Sequence, residues 1–238
     1  VRRSFDAARR AGFDNINLDI MHGLPGQTAA GALDDLQSAV DLAPEHLSWY
    51  QLTLEPNTVF HARPPAGLPD EDAVAEMQSQ GQALLAARGY EHYEVSAYAR
   101  SGRRCRHNLN YWRFGDYLAV GAGAHGKITD SAGTWRYAKP AHPKQYLEAL
   151  QSATPAELRP VGAPERLFEY LLNSVRLQDD ISEAEFSVRT GLSADLLRRR
   201  LRRPAENGLV EQSGRQTWRV TALGRRFLND LQAEFLPE

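Results

Sequence analysis

The chain has a single cysteine, Cys105, among its 238 residues. One thiol excludes a disulfide within the chain and any metal cage built from its own cysteines alone. No apolar run approaches the roughly 18 residues of a membrane-spanning helix, and no signal-peptide pattern opens the sequence. Neither sign of charge is in excess: the formal net charge is −2, so no global field points to nucleic acid or to an anionic membrane. No methionine begins the chain, and Val1 to Ala11 reads as a helix already under way, closed by Gly12. The expectation is a piece of a longer protein whose N-terminal part is missing. The 42% hydrophobic content suffices for one large core, or a medium core with a small satellite, in a soluble protein of cytoplasmic type.

The stretch Asn15-Ile16-Asn17-Leu18-Asp19-Ile20-Met21-His22-Gly23-Leu24-Pro25-Gly26-Gln27-Thr28 carries the most information. Strand side chains alternate, so Ile16, Leu18 and Ile20 fall on one face and Asn15, Asn17 and Asp19 on the other. Such a strand suits a parallel barrel with apolar residues toward outer helices and polar residues toward a ligand-filled mouth. A solvated edge strand is the simpler alternative. Ala32, Leu33, Leu36, Ala39 and Val40 then recur at helical spacing, and Ala43-Pro44 ends that helix. Leu47 to Glu55 predicts a second strand, with Trp49, Gln51, Thr53 and Glu55 on one face. Asp70 opens a helix striped by Val74, Met77, Gly81, Leu84 and Leu85, and His92 to Ser96 predicts a third strand. Strands alternating with helices argue for an α/β architecture with a parallel sheet. Three successive strands with a polar face point to a shared polar lumen.

Residues 140–163 are rich in proline, alanine and polar side chains and read as a linker or domain crossing, with one helix near Tyr146–Leu150. From 164 to 238 the pattern changes to three helices, a two-stranded wing around Ser213-Gly214 and a last helix over Leu223–Leu236. The second helix opens on a capping box, Ser182-Glu183-Ala184-Glu185. This order is winged-helix-like. Its run Arg198-Arg199-Arg200 with Arg202 and Arg203 invites a DNA-recognition reading, but from Glu165 to Glu238 twelve arginines face twelve acids. Without a basic excess a solvated helix face is the better account, and no nucleic-acid partner is expected.

Two clusters stand out. Cys105-Arg106-His107-Asn108-Leu109-Asn110-Tyr111-Trp112 gathers an imidazole, amides and flat aromatic surfaces, which suits a large planar cofactor. It equally suits a buried aromatic turn with a hydrogen-bonded histidine. Gly121-Ala122-Gly123-Ala124-His125-Gly126 matches G-x-G-x-x-G, but a strand-like or turn-like segment follows instead of a helix. A dinucleotide site is therefore rejected in favour of a tight bend or a close backbone approach.

Together, Asn17-Leu18-Asp19 through Gly23-Leu24-Pro25-Gly26-Gln27-Thr28, Leu47 to Pro56, Tyr93-Glu94-Val95-Ser96 and His107-Asn108-Leu109-Asn110-Tyr111-Trp112 resemble the radical S-adenosylmethionine proteins related to oxygen-independent coproporphyrinogen III oxidase. The H-N-x-x-Y-W segment is most similar to the heme chaperone branch of that family. The resemblance covers almost the whole chain. It implies the C-terminal portion of a partial (β/α)₆ barrel over 1–139, then a small winged-helix-like domain over 164–238. It implies that Asp19 holds the ribose hydroxyls of S-adenosylmethionine, with Met21 and Thr53 along the adenosine. It also implies that His107 handles heme, accompanied by Asn108, Tyr111 and Trp112, although His22, His46, His92 and His125 are further candidates for the iron.

One departure matters. The family's [4Fe–4S] cluster is held by a C-x-x-x-C-x-x-C run that this chain lacks, and the glycine-rich segment for the methionine end of S-adenosylmethionine is also absent. The expectation is that both lie upstream, and that this chain alone does no radical chemistry. The implied function is delivery of heme to a hemoprotein client such as a respiratory enzyme, with peripheral membrane association only through that client. The alternative is the radical oxidative decarboxylation of coproporphyrinogen III.

Overall fold

The computed structural model describes residues 1–151, 156 and 158–236. It divides into two compact units, Val1–Cys105 and Arg106–Glu238. Among the described residues no helix is long and apolar enough to cross a membrane.

In the first unit α1 (Arg2–Arg10) stops just before Gly12, whose φ of +93° a side-chain-bearing residue rarely adopts. β1 (Asn17–His22) and β2 (His46–Gln51) pair in parallel, with Asp19 beside Ser48 and Met21 beside Tyr50. The crossover between them is α2 (Ala29–Val40), begun where the Thr28 hydroxyl accepts the Gly31 N–H at 3.2 Å. After the single turn α3 (Val59–Ala62), Asp70 caps α4 (Glu71–Ala87) by accepting the Ala73 N–H at 2.8 Å. The sheet closes with β3 (Glu91–Glu94) and β4 (Ala97–Ala99), in the order β1-β2-β4-β3.

Two details correct the sequence expectation. The single third strand over 92–96 is a hairpin, and its return strand β4, antiparallel, lies against β2. The turn is made where the Glu94 carboxylate accepts both the Ser96 N–H and its hydroxyl at 3.1 Å. Ala97, Tyr98 and Ala99 are all buried, so no alternation marks them as a strand. The parity of β2 is also the reverse of that expected. Leu47 and Trp49 face the helices, packed with Leu36, Ala39, Val40 and Leu85, while Ser48 and Tyr50 share the face of Asp19 and Met21. A large indole wins the core side over the polar neighbours that suggested a lumen.

Trp49 reaches the helix layer only because α4 has a glycine there. A Cβ on Gly81 would lie 1.9 Å from the Trp49 ring.

The second unit opens with α5 (Arg106–Trp112), followed by the hairpin β5 (His125–Asp130) and β6 (Gly133–Ala138). After α6 (Pro143–Ala149), β7 (Arg159–Pro160) adds to β6. Residues 152–155 and 157 of the expected linker lie outside the described residues. The hairpin belongs to this unit, whereas the sequence pattern carried the first portion to 139. Val161 N–H donates to the Thr134 carbonyl at 2.8 Å, and Arg136 clasps Glu169, which ties the hairpin to the helices that follow.

Those helices are α7 (Ala163–Ser174), α8 (Glu183–Thr190) and α9 (Ala194–Glu206). The wing is β9 (Val210–Gly214) and β10 (Thr217–Val220), joined by the two-residue β8 (Ile181–Ser182) in the order β8-β10-β9. The expected last helix is two, α10 (Ala222–Arg226) and α11 (Leu228–Ala233), broken at Phe227. Their core joins Tyr170, Leu171, Phe186, Leu197, Leu201 and Leu231. Within the arginine run of α9, Arg198 pairs with Glu183 and Asp195, and Arg203 pairs with Glu234. The glycine-rich segment makes bends at Gly121 and Gly123, both at positive φ, and Gly126 lets the Tyr137 ring approach to 2.3 Å of its missing Cβ. A strand follows it, as the rejection of a dinucleotide site required.

The end of α5 is pinned by a buried cation. Phe114 takes φ +56°, which costs a non-glycine residue about 1–2 kcal/mol. Lys127, 1% exposed, donates to the Phe114 carbonyl at 3.0 Å, to Asp116 Oδ1 at 2.8 Å and to Thr129 Oγ1 at 3.3 Å. Its ammonium also lies 4.0 Å from the centre of the Phe114 ring.

Gly81→Ala should lower the stability of the first unit. Overpacking at its severe end, about 3 kcal/mol, exceeds the roughly 1 kcal/mol gained in helix propensity. A urea midpoint equal to or above the wild-type value would show that the α4–β2 contact is loose. In the second unit Asp116→Ala strands a buried ammonium and should cost about 3 kcal/mol. Lys127→Met leaves a carboxylate that water reaches and should cost less, about 1–2 kcal/mol. The reverse order in chemical denaturation would contradict this account of the pin.

Candidate functional site

All four residues of the H-N-x-x-Y-W segment line one cleft of about 400 Å³ in the second unit: His107, Asn108, Tyr111 and Trp112. That volume lies within the range of small-molecule pockets, about 300–1,000 Å³. One wall is aromatic. His107 is exposed, its ring edge-on to Tyr111 with centroids 4.8 Å apart, and Tyr111 meets Tyr117 at 4.5 Å. The Trp112 ring is covered by the Arg176 guanidinium at 4.3 Å, and among the described residues its Nε1–H is buried with no acceptor. The seven-residue helix α5 brings His107 and Tyr111 to one side by their spacing of four.

The rest of the lining was not foreseen from the sequence: Phe114, Gly115, Tyr117, Lys127, Arg136 and Asn173. Tyr117 and the hairpin residues carry no local motif, and only the fold brings them beside α5. Both cations are already matched. Arg136 grips Glu169 through two bonds of 3.0 and 2.6 Å and donates to the Tyr117 hydroxyl at 2.8 Å. Burial lowers the pKa of Lys127, opposed by Asp116. Burial alone would raise that of Asp116, but bonds from Lys127 and Thr129 bring it below the ordinary carboxylate value. The cleft therefore offers flat apolar surface and an exposed imidazole, with its cations neutralised.

In the first unit the structure puts Asp19 and Met21 on one face of β1, Asp19 exposed and Met21 half-buried. Thr53 lies past the end of β2, exposed, its hydroxyl donating to Glu55 Oε1 at 3.1 Å. β2 ends at Gln51, so strand alternation does not extend to Thr53. Asn17 Nδ2 donates to Asp19 Oδ1 at 2.8 Å, and Asn17 Oδ1 lies 2.6 Å from His46 Nδ1. His46 Nε2 is 2.8 Å from the Tyr93 hydroxyl, which accepts the Cys105 N–H at 3.2 Å. Burial lowers the His46 pKa, while Asp19 draws it back up. Burial also pushes the Tyr93 phenol up to about 12. His46 and Tyr93 were not singled out as part of this face by the sequence, because a buried polar pair looks like any other strand residue.

The other histidines are placed differently. His22 and His46 are buried, His92 stacks on Tyr98 at 4.5 Å, and His125 lies outside the cleft lining. Among the described residues no group of three or more His, Cys, Asp or Glu could hold a metal ion. Cys105 is half-buried and alone.

Residues 162–227 match the HemN C-terminal domain family. Over its whole length the chain is 44% identical to the heme chaperone HemW of Haemophilus influenzae, covering 61% of that protein, and 44% identical to that of Escherichia coli, covering 62%. It spans about three fifths of the length of these curated relatives. A solved structure titled "Coproporphyrinogen III oxidase (HemN) from Escherichia coli is a Radical SAM enzyme" superposes with a TM-score of 0.71, at 21% identity, over 97% of this chain and 57% of that one. That likeness shows the fold, the C-terminal part of the radical SAM architecture. The chain belongs to the family of the heme chaperone HemW.

Proposed function

We propose that this chain carries the heme-handling and adenosine-binding parts of a heme chaperone that passes heme to a hemoprotein. The observation that carries the reading is the convergence of His107, Asn108, Tyr111 and Trp112 on one cleft. Heme is the cargo. His107 contacts the iron or orients the propionates, Asn108 helps to orient it, and Tyr111 and Trp112 pack on the macrocycle. A neutral imidazole is a good iron ligand and aromatic faces match a flat apolar ring. The client is a hemoprotein such as a respiratory enzyme, met in the cytoplasm or at a membrane through that client.

S-adenosylmethionine fits the first unit. An exposed carboxylate on an open polar strand face suits a ribose diol, so Asp19 would hold the hydroxyls, and Met21 and Thr53 would lie along the adenosine. The [4Fe–4S] cluster does not fit the residues of this chain, whose one cysteine supplies one ligand. The oxidase alternative rests on the likeness of fold, whereas the named chaperones share more than twice the sequence identity.

His107→Ala should perturb the Soret band and reduce heme retention. His142→Ala, at the N-cap of α6 and outside the cleft lining, should not. Equal retention with wild-type spectra in both would make the H-N-x-x-Y-W segment structural. In the intact protein Asp19→Ala should weaken S-adenosylmethionine binding by about 1.5–3 kcal/mol, the worth of hydrogen bonds to a charged group. Unchanged affinity by calorimetry would remove Asp19 from the site.

A further inference from the structure

We infer that Asn17, His46 and Tyr93 are positioning residues for the Asp19 carboxylate, through a hydrogen-bond relay whose every donor and acceptor is determined. The inference rests on reading Asp19 as the acceptor of a nucleoside diol. A carboxylate only accepts, so the Asn17 edge facing Asp19 Oδ1 at 2.8 Å must be its amide nitrogen. The Asn17 oxygen then faces His46 and takes the Ser48 hydroxyl at 3.2 Å. An amide oxygen also only accepts, so His46 carries its proton on Nδ1, at 2.6 Å. The bare Nε2 of a neutral ring is an acceptor, and the Tyr93 hydroxyl donates to it at 2.8 Å. The phenol oxygen in turn accepts the Cys105 N–H at 3.2 Å.

The relay runs from a half-buried backbone group, through two buried rings, to an exposed carboxylate. His46 and Tyr93 are 4% and 0% exposed, while Asn17 and Asp19 are open to solvent. A buried anchor removes rotational freedom that an exposed aspartate otherwise keeps, and that loss is then no longer charged to ligand binding. It also occupies one lone pair of Oδ1 and leaves the other acceptor sites for the two hydroxyls of a diol. The Nδ1–H tautomer is dictated by the neighbours and makes the relay visible to spectroscopy.

The test uses nitrogen NMR of the His46 ring together with calorimetry of S-adenosylmethionine on the intact protein. The wild-type ring should show the Nδ1–H tautomer, and Asn17→Ala should release it to Nε2–H, with Tyr93 as acceptor. Asn17→Ala and Tyr93→Phe should each weaken S-adenosylmethionine binding about 3- to 10-fold, with the far-UV spectrum retained. In an Asp19→Ala background neither should have a further effect, since both act through that carboxylate. An Nε2–H tautomer in the wild type overturns the proposal. So does unchanged affinity in both single variants, or a loss that persists without Asp19. An Asp19→Ala variant with wild-type affinity is a separate outcome: it removes the adenosine reading of this face, and the positioning role with it. Tyr93→Phe is near-isosteric, and Asn17→Ala sits on an exposed site, so each keeps the question answerable if the other fails to fold.

Discussion

The shape of the cleft depends on one ammonium group taken out of water. Lys127 satisfies its three N–H groups on the Phe114 carbonyl, Asp116 and Thr129, and lies over the Phe114 ring. A buried cation is tolerated only where its bonds are complete. Completing them requires Phe114 to turn into the left-handed region and Asp116 to reach back toward β5. That turn ends α5 where His107 and Tyr111 look into the cleft. Tyr117, placed three residues after the turn, joins the same aromatic wall and is held by Arg136. The charges of the lining are spent on structure, which leaves aromatic surface and an exposed imidazole as the chemistry on offer.

In the first unit the constraint is the division of the β1–β2 sheet into two faces. On one, Trp49 fills the gap that Gly81 leaves in α4. On the other, Asn17, Asp19, Ser48 and Met21 remain available, with His46 and Tyr93 anchoring the polar end. The apolar face is closed by packing and the polar face is organised by directional bonds. A single residue slip in register would exchange the two.

Much of this was legible in the sequence, for identifiable reasons. The alternation of Asn17 to Ile20, the helix starts at Asp70 and Ser182, and the bends at Gly121 and Gly123 are local rules, and the structure follows them. His107, Asn108, Tyr111 and Trp112 stood out by residue type, but no local rule marked the helix α5 that carries them or the cleft they line. Illegible were features decided by distant partners. The side of β2 that faces inward depends on Gly81, thirty-two positions beyond Trp49. The strand β4 is too short and too uniformly buried for any period to show. Lys127, Arg136 and Tyr117 reach the cleft only because the hairpin folds back, and a lysine in a strand carries no sign that it will be buried.

The most direct test of heme delivery is transfer itself. The intact protein, loaded with heme, would be mixed with an apo-hemoprotein, following the Soret spectra of both, with coproporphyrinogen III consumption measured in parallel. The account predicts movement of heme to the acceptor, slowed or lost in His107→Ala, and no porphyrinogen decarboxylation. Decarboxylation of coproporphyrinogen III without heme transfer would contradict it.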